Sequence, residues 1–171
     1  MLPMGTTSGD ELVDIIGDDG DVERVVTRAE MRAGRLRHRC TFVLVWSTEG
    51  EVLIHRRSEA KDMWPGRWDL TCGGVVAAGE GWDDAARREL AEELGVEAEL
   101  TPVLGGDYRD DDVDEVARVW QTVHDGPFAF TDDEVVEACF VSVDELRRRV
   151  RRDPFVPDSL ALVGPLVLGP G

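Results

Sequence analysis

The run from Trp82 to Leu94, free of glycine and proline and rich in Ala, Leu, Glu and Arg, constrains this chain more than any other stretch. Those residue types favour helix, and Gly95 directly after them suits the left-handed residue that ends one. On a helix, Glu89, Glu92 and Glu93 stand at i, i+3 and i+4, so their carboxylates share one face. Like charges at that spacing cost roughly a few tenths of a kcal/mol, so they are kept either for solubility or for cations. Ala86, Leu90 and Leu94 form a separate apolar stripe, and burying that stripe fixes where the acidic one points. Just upstream, Gly73, Gly74 and Gly79 permit tight turning and close approach of a ligand to the backbone. Hard oxygen donors in such a place suit Mg²⁺ or Mn²⁺, whose coordination shells phosphates often complete.

The chain has 171 residues and 42% hydrophobic content, enough for one domain with a substantial core. Its formal net charge of -17 opposes binding to duplex nucleic acid or an anionic membrane. A small phosphorylated partner remains open to it where metal ions neutralise the charge. The three cysteines, Cys40, Cys72 and Cys139, show no metal-knuckle spacing and fit buried thiols in a reducing cytoplasm. The start lacks the basic-then-apolar order of a signal peptide, and no apolar run reaches the roughly 20 residues of a membrane helix. A cytoplasmic protein is expected, with a homodimer left open.

Read in order, residues 1–10 are expected to form a disordered tail and 11–171 a single domain. Glu11–Ile16 and Val22–Val26 alternate as a hairpin around Gly17–Gly20. Thr27–Glu30 is a capping-box pattern opening a short helix that Gly34 should end. This extension, residues 11–36, holds no cluster suggesting chemistry. Arg39–Trp46 and Val52–Arg56 read as a central hairpin, Ser58–Trp68 as a loop, and Asp69–Val76 as a strand broken by its glycines. Val96–Leu104 reads as a strand and Gly105–Glu115 as an exposed acidic loop. Glu115–His124 and Val135–Val141 are further strands, with an acidic loop at Asp132–Glu134 between them. Ser142–Glu145 caps a helix to about Arg152, and a last apolar helix follows with Asp158 as its N-cap.

From Gly74 to Val96 the spacing is G-x5-E-x7-R-E-U-x-E-E-x-G-U, with U apolar. This resembles the box of the Nudix hydrolases at every defining position. At about 7% usage per residue type, the seven fixed identities would coincide in about 10⁻⁸ of windows. Val52–Arg57, Lys61, Pro65–Gly66, Trp68–Asp69 and Gly73–Val75 are similar to Nudix proteins related to isopentenyl-diphosphate isomerase. The resemblance implies an α/β fold: a Nudix-type α/β/α sandwich with a mixed central sheet, here carrying an N-terminal β-hairpin and helix extension. It implies hydrolysis of a nucleoside diphosphate linked to another group, aided by Mg²⁺ or Mn²⁺. Glu89, Glu92 and Glu93 would be metal ligands, with the Gly73 carbonyl a further one. Arg88 would hold the glutamates, Glu80 would be structural or orient water, and Glu89 or a loop glutamate would be the base.

Glu134 and Glu115 are the loop carboxylates from which the family's additional acid would come, each weighed against being a solvated side chain. Arg56, Arg57, Lys61 and Arg67 could meet substrate phosphates, since guanidinium forks match phosphate geometry; surface ion pairing is the competing use. Trp64 or Trp68 could stack on a base or anchor the core. Cys72 raises an isomerase alternative, because isopentenyl-diphosphate isomerases use a cysteine near this place for proton chemistry, and His38 and Glu115 fall near other positions of that pattern. Gly74 stands where those enzymes keep a metal-binding histidine. A non-catalytic nucleotide-binding module is the other alternative, and the complete glutamate set argues against it.

Overall fold

The structure is a computed structural model and describes residues 8–130 and 133–170. Of the disordered tail expected over residues 1–10, residues 1–7 lie outside the described residues, as does Asp132 of the acidic loop, while Ser8–Asp10 are ordered as one 3-10 turn. In chain order the elements are β1 (Leu12–Ile16), β2 (Val22–Thr27), α1 (Arg28–Gly34), β3 (His38–Trp46), β4 (Val52–Arg57), β5 (Trp68–Asp69), β6 (Cys72–Val75), α2 (Trp82–Leu94), β7 (Thr101–Arg109), β8 (Asp114–Val123), β9 (Val135–Val141), α3 (Val143–Arg152) and α4 (Pro157–Leu168).

β1 and β2 form a ribbon of their own, and the other strands form one mixed sheet in which β3 pairs parallel with β8. Strand β3 carries apolar residues on both faces because both are covered. Phe42 and Leu44 pack towards Leu146 of α3 and Val163 of α4. Val43 and Val45 face Ala86, Leu90 and Leu94 of α2. Leu90 and Leu94 are each 1% exposed, and burying such a side chain contributes about 2 kcal/mol. The Trp120 indole N–H also donates to Asp83 Oδ1 at 2.9 Å, tying the first turn of α2 to β8. At the far end Gly95 takes φ 65° and closes the helix by backbone bonds.

β3 and β4 are joined at a single rung, Trp46 to Val52, and then splay apart. The chain from β5 to β6 nests inside that V. β5 runs antiparallel along β4, with His55 opposite Asp69, and β6 returns antiparallel along β3, with Val43 opposite Cys72. The reversal falls at Leu70–Thr71, ahead of the glycines that were expected to break the strand. Asp69 Oδ1 makes it by accepting from the Thr71 N–H and hydroxyl at 3.0 and 3.2 Å, a side-chain turn that aspartate favours.

Other boundaries also moved. No strand covers residues 96–100; β7 instead runs to Arg109 through the supposed loop, pairing with β8 down to Arg109 opposite Asp114. Only Asp110–Val113 turns, with Asp110 Oδ1 accepting from the Asp112 and Val113 N–H groups. The adjacent acids Asp110–Asp112, read as part of a solvated loop, occupy only the short turn between two paired strands. Glu115 is accordingly no loop residue but a buried strand residue, 2% exposed. The Thr27 capping box forms in full, but the left-handed residue ending α1 is Arg35, one past Gly34. Asp158 lies inside α4, whose N-cap is Val156 followed by Pro157.

The extension is not an appendage. Val13 bridges to Ala77, the Ala78 N–H donates to Leu12, and Asp14 Oδ2 accepts from the Gly79 N–H at 3.0 Å and Arg39 Nη2 at 2.9 Å. Asp14→Ala should therefore lower stability by about 1.5–3 kcal/mol in urea unfolding, the range for lost bonds to a charged, mostly buried group.

Candidate active site

Gly73 and Gly74 are the floor of the site. Gly73 has φ 154°, and a Cβ there would lie 1.9 Å from the Thr41 carbonyl oxygen on β3. A Cβ on Gly74 would lie 2.7 Å from Glu89 Oε1 on the opposite side. The two glycines thus let β6 lie between β3 and the acidic face of α2. The Gly73 N–H donates to Glu93 Oε2 at 3.3 Å; this contact uses the amide of Gly73, not the carbonyl expected to bind metal.

Arg88 organises the acids. Its Nε and Nη2 form a fork on Glu80 Oε1 and Oε2 at 2.8 and 2.9 Å. Nη1 reaches Glu89 Oε1 at 2.8 Å and Glu92 Oε2 at 3.2 Å. A planar guanidinium makes such divergent bonds where a lysine would not. Glu80 also accepts from the Ala77 N–H at 3.0 Å, so the turn before α2 is closed by the same carboxylate. Burial opposes the charge of Glu80, but its bonds to Arg88 and Ala77 hold its carboxyl below the usual range.

Glu89 and Glu93 are buried, while Glu92 is exposed enough to reach water. Burial pushes the Glu89 carboxyl up to about 7 against the pull of Arg88. Burial, and then the neighbouring charge of Glu89, push Glu93 well above the carboxylate range. Two buried carboxyls side by side are the arrangement in which ionisation is resisted, and a divalent cation would relieve it. The all-oxygen donor set of Glu89, Glu92 and Glu93 fits Mg²⁺ or Mn²⁺.

Beside Gly73 and Gly74 opens a cleft. Of the cations expected to meet phosphate, Arg57 and Lys61 line it and Arg56 and Arg67 do not. Arg56 instead pairs across the strands with Glu137 at 2.8 Å, and Arg67 donates to the Phe155 carbonyl. Arg57 donates to the Met63 carbonyl, which shapes the β4–β5 loop. Lys61 meets Glu134 at 2.6 Å, and Glu134 stands near enough to Glu89 and Glu93 for its charge to raise both. Trp64 lines the cleft, whereas Trp68 packs under Arg149, 4.0 Å from the ring centre. Cys72 is buried in the core against α2, and burial lifts its thiol well up.

Arg28 and Arg32 of α1 also line this cleft, although the extension was expected to hold no chemistry. Their capping-box setting gave no hint of it, because only the packing of α1 over the sheet reveals their direction. Cys40, Glu115 and Asp158 reach the cleft as well, from three separate elements.

The NUDIX domain family model matches residues 36–159. The chain is 41% identical over 164 residues to the uncharacterized Nudix hydrolase YfcD of Salmonella typhi, covering 94% of this chain and 86% of that protein. Against the Streptomyces coelicolor Nudix hydrolase SCO1686 the identity is 37% over 160 residues, covering 91% and 87%. The fold matches DR0079 from Deinococcus radiodurans with a TM-score of 0.79 at 24% identity, over 90% of this chain and 98% of that one. It also matches the NUDIX domain of Shewanella oneidensis NrtR, solved with ADP ribose, with a TM-score of 0.61 at 17% identity over 81% and 96%. The chain belongs to the Nudix family, as a hydrolase with the family's α/β/α sandwich. Among the described residues no helix is long and apolar enough to cross a membrane.

Arg88→Ala would leave Glu80 and Glu89 without their counter-charge. Removing one partner of a buried pair costs about 3–5 kcal/mol. Because Arg88 is 34% exposed, a loss near 2 kcal/mol is expected in urea unfolding.

Proposed function

We propose that this hydrolase, working in the cytoplasm, cleaves the diphosphate linkage of a small nucleoside diphosphate derivative with Mg²⁺ or Mn²⁺. The observation that carries the reading is the buried pair Glu89 and Glu93 packed on Gly73–Gly74, with Glu92 beside them at the surface. Glu89, Glu92 and Glu93 would hold the ion, with the Gly73 carbonyl as a further ligand. When bound, the ion neutralises charge on the diphosphate and acidifies water. Arg88 keeps two of these carboxylates in place through its bonds to Glu89 and Glu92, and is itself braced by Glu80. Lys61 and Arg57, which line the cleft beside Gly73 and Gly74, offer positive charge to the phosphates. The proton of the attacking water passes to a carboxylate at the edge of the set: Glu89, or Glu134 where Lys61 holds it. Such proton transfer is typically worth about 10²–10⁴-fold.

The ADP ribose complex of the NrtR domain supports a nucleotide-derived ligand for this cleft. Nucleoside di- and triphosphates, nucleotide sugars, ADP ribose and dinucleotide polyphosphates are the compounds to screen. Phosphate or nucleotide product should form with Mg²⁺ or Mn²⁺ and cease with chelator; activity surviving chelation would sink the metal mechanism. Glu93→Gln should reduce turnover by roughly 10²-fold or more. Its melting temperature should hold or rise, because the substitution removes a buried carboxyl that resists ionisation. Near-normal rates in this variant would remove Glu93 from the site.

A further inference from the structure

On β3, His38 and Cys40 stand two residues apart and so share a face, and His38 lies opposite Glu115 in the parallel pairing of β3 with β8. The three are 1%, 5% and 2% exposed. One ligating atom from each, a ring nitrogen, the thiol sulfur and a carboxylate oxygen, all lie within 4.8 Å of one another. The face they share is apolar further along β3, at Phe42 and Leu44, so the polar cluster sits at one end of an otherwise hydrophobic surface.

The hydrogen bonding of this cluster is incomplete. His38 Nδ1 lies 2.8 Å from the Leu36 carbonyl oxygen. A carbonyl only accepts, so Nδ1 carries the proton and Nε2 presents its lone pair. Nε2 is buried, has no hydrogen-bond partner and points to Glu115 Oε2 at 4.0 Å. Glu115 Oε1 is buried without a partner too. Glu115 is hydrogen-bonded to Cys40 and Asp158, and burial pushes its carboxyl up, but the buried His38 lone pair is left without a donor, which is unfavourable. Holding the other ring N–H on a backbone carbonyl is how metal-binding histidines are oriented. Ligand atoms around a tetrahedral Zn²⁺ lie about 3.3–3.8 Å apart, given bonds of about 2.0–2.3 Å. The present spacing therefore closes onto an ion by small side-chain movements.

We propose that His38, Cys40 and Glu115 form a second metal centre, for a borderline divalent ion of the Zn²⁺ class. The mixed nitrogen, sulfur and oxygen donors set it apart from the all-oxygen glutamates of α2, and they prefer Zn²⁺ or Co²⁺ to Mg²⁺. Three protein ligands leave a coordination position vacant, as in metal sites that take water or substrate. Cys40 and Glu115 line the cleft that contains Gly73 and Gly74, so the vacant position opens to the space where a phosphorylated ligand would lie. Asp158, on the first turn of α4, borders the same space and is hydrogen-bonded to Glu115. Arg28 and Arg32 stand on the cleft wall, where their charge complements a ligand phosphate. The centre does not depend on the hydrolytic reading of the α2 glutamates.

The test is Co²⁺ titration of the chelator-stripped full chain, with Mg²⁺ in large excess to occupy the oxygen sites. A thiolate-to-cobalt charge-transfer band should appear, persist in Cys139→Ser and Glu93→Gln, and be lost in Cys40→Ser. Excess Zn²⁺ should abolish it. No band in the wild-type chain, or a band that survives Cys40→Ser, overturns the proposal. Should Cys40→Ser fail to fold, Glu115→Gln decides: cobalt affinity unchanged from wild type is then the overturning result, and weakened affinity the expected one. Persistence of the band in a Glu93→Gln protein without turnover separates this centre from the proposed hydrolytic site.

Discussion

The structure depends on how closely β6 can lie between its neighbours. At Gly73 the backbone of β3 leaves no room for a Cβ, and at Gly74 a Cβ would displace the Glu89 carboxylate. This double constraint holds α2 against the sheet at a distance where Glu93 can accept a backbone hydrogen bond from Gly73. Leu90 and Leu94 supply the attraction on the same helix, since burying them is favourable only when the helix sits down on β3. The apolar stripe provides the force and the glycines set its limit. Between them they fix where the acids stand.

Electrostatics then makes the position informative. A chain of net charge -17 could scatter its acids over the surface, but here two are driven together and buried. Arg88 meets part of the demand by bonding Glu80, Glu89 and Glu92. Glu93 is not among its partners; it has the Gly73 N–H, and the charge of Lys61 favours its ionised form. Three bonded carboxylates around one guanidinium still leave net negative charge, which is the condition for binding a cation.

Much of this was legible in the sequence because it is local. The helix, its left-handed cap at Gly95, the acidic face and the Thr27 capping box all follow from spacings within a turn or two. What could not be read depends on distant pairing. Asp110 makes a tight turn rather than starting a long loop because β7 finds β8 as a partner on one side, which the run of acids conceals. Arg56 and Arg57 are adjacent, but strand alternation sends one towards Glu137 and the other to the cleft side. Likewise His38 and Glu115 are far apart in the chain and become neighbours only through the parallel pairing of their strands. Asp14 had no readable role, since its partners come from Arg39 and Gly79.

The single rung at Trp46 and Val52 gives the splayed pair of strands the outline of tongs. One arm, β3 with β6 and β8, carries His38, Cys40, Gly73, Gly74 and Glu115, and α2 is seated on it. The other arm, β4 with β5 and β9, leads directly into the segments bearing Arg57, Lys61 and Glu134. The glutamates of α2 and the cations Arg57 and Lys61 thus belong to opposite arms that diverge from the same end. A ligand gripped by both would act as a strut across the gap, stiffening the sheet along its length from the free tips back to the shared rung.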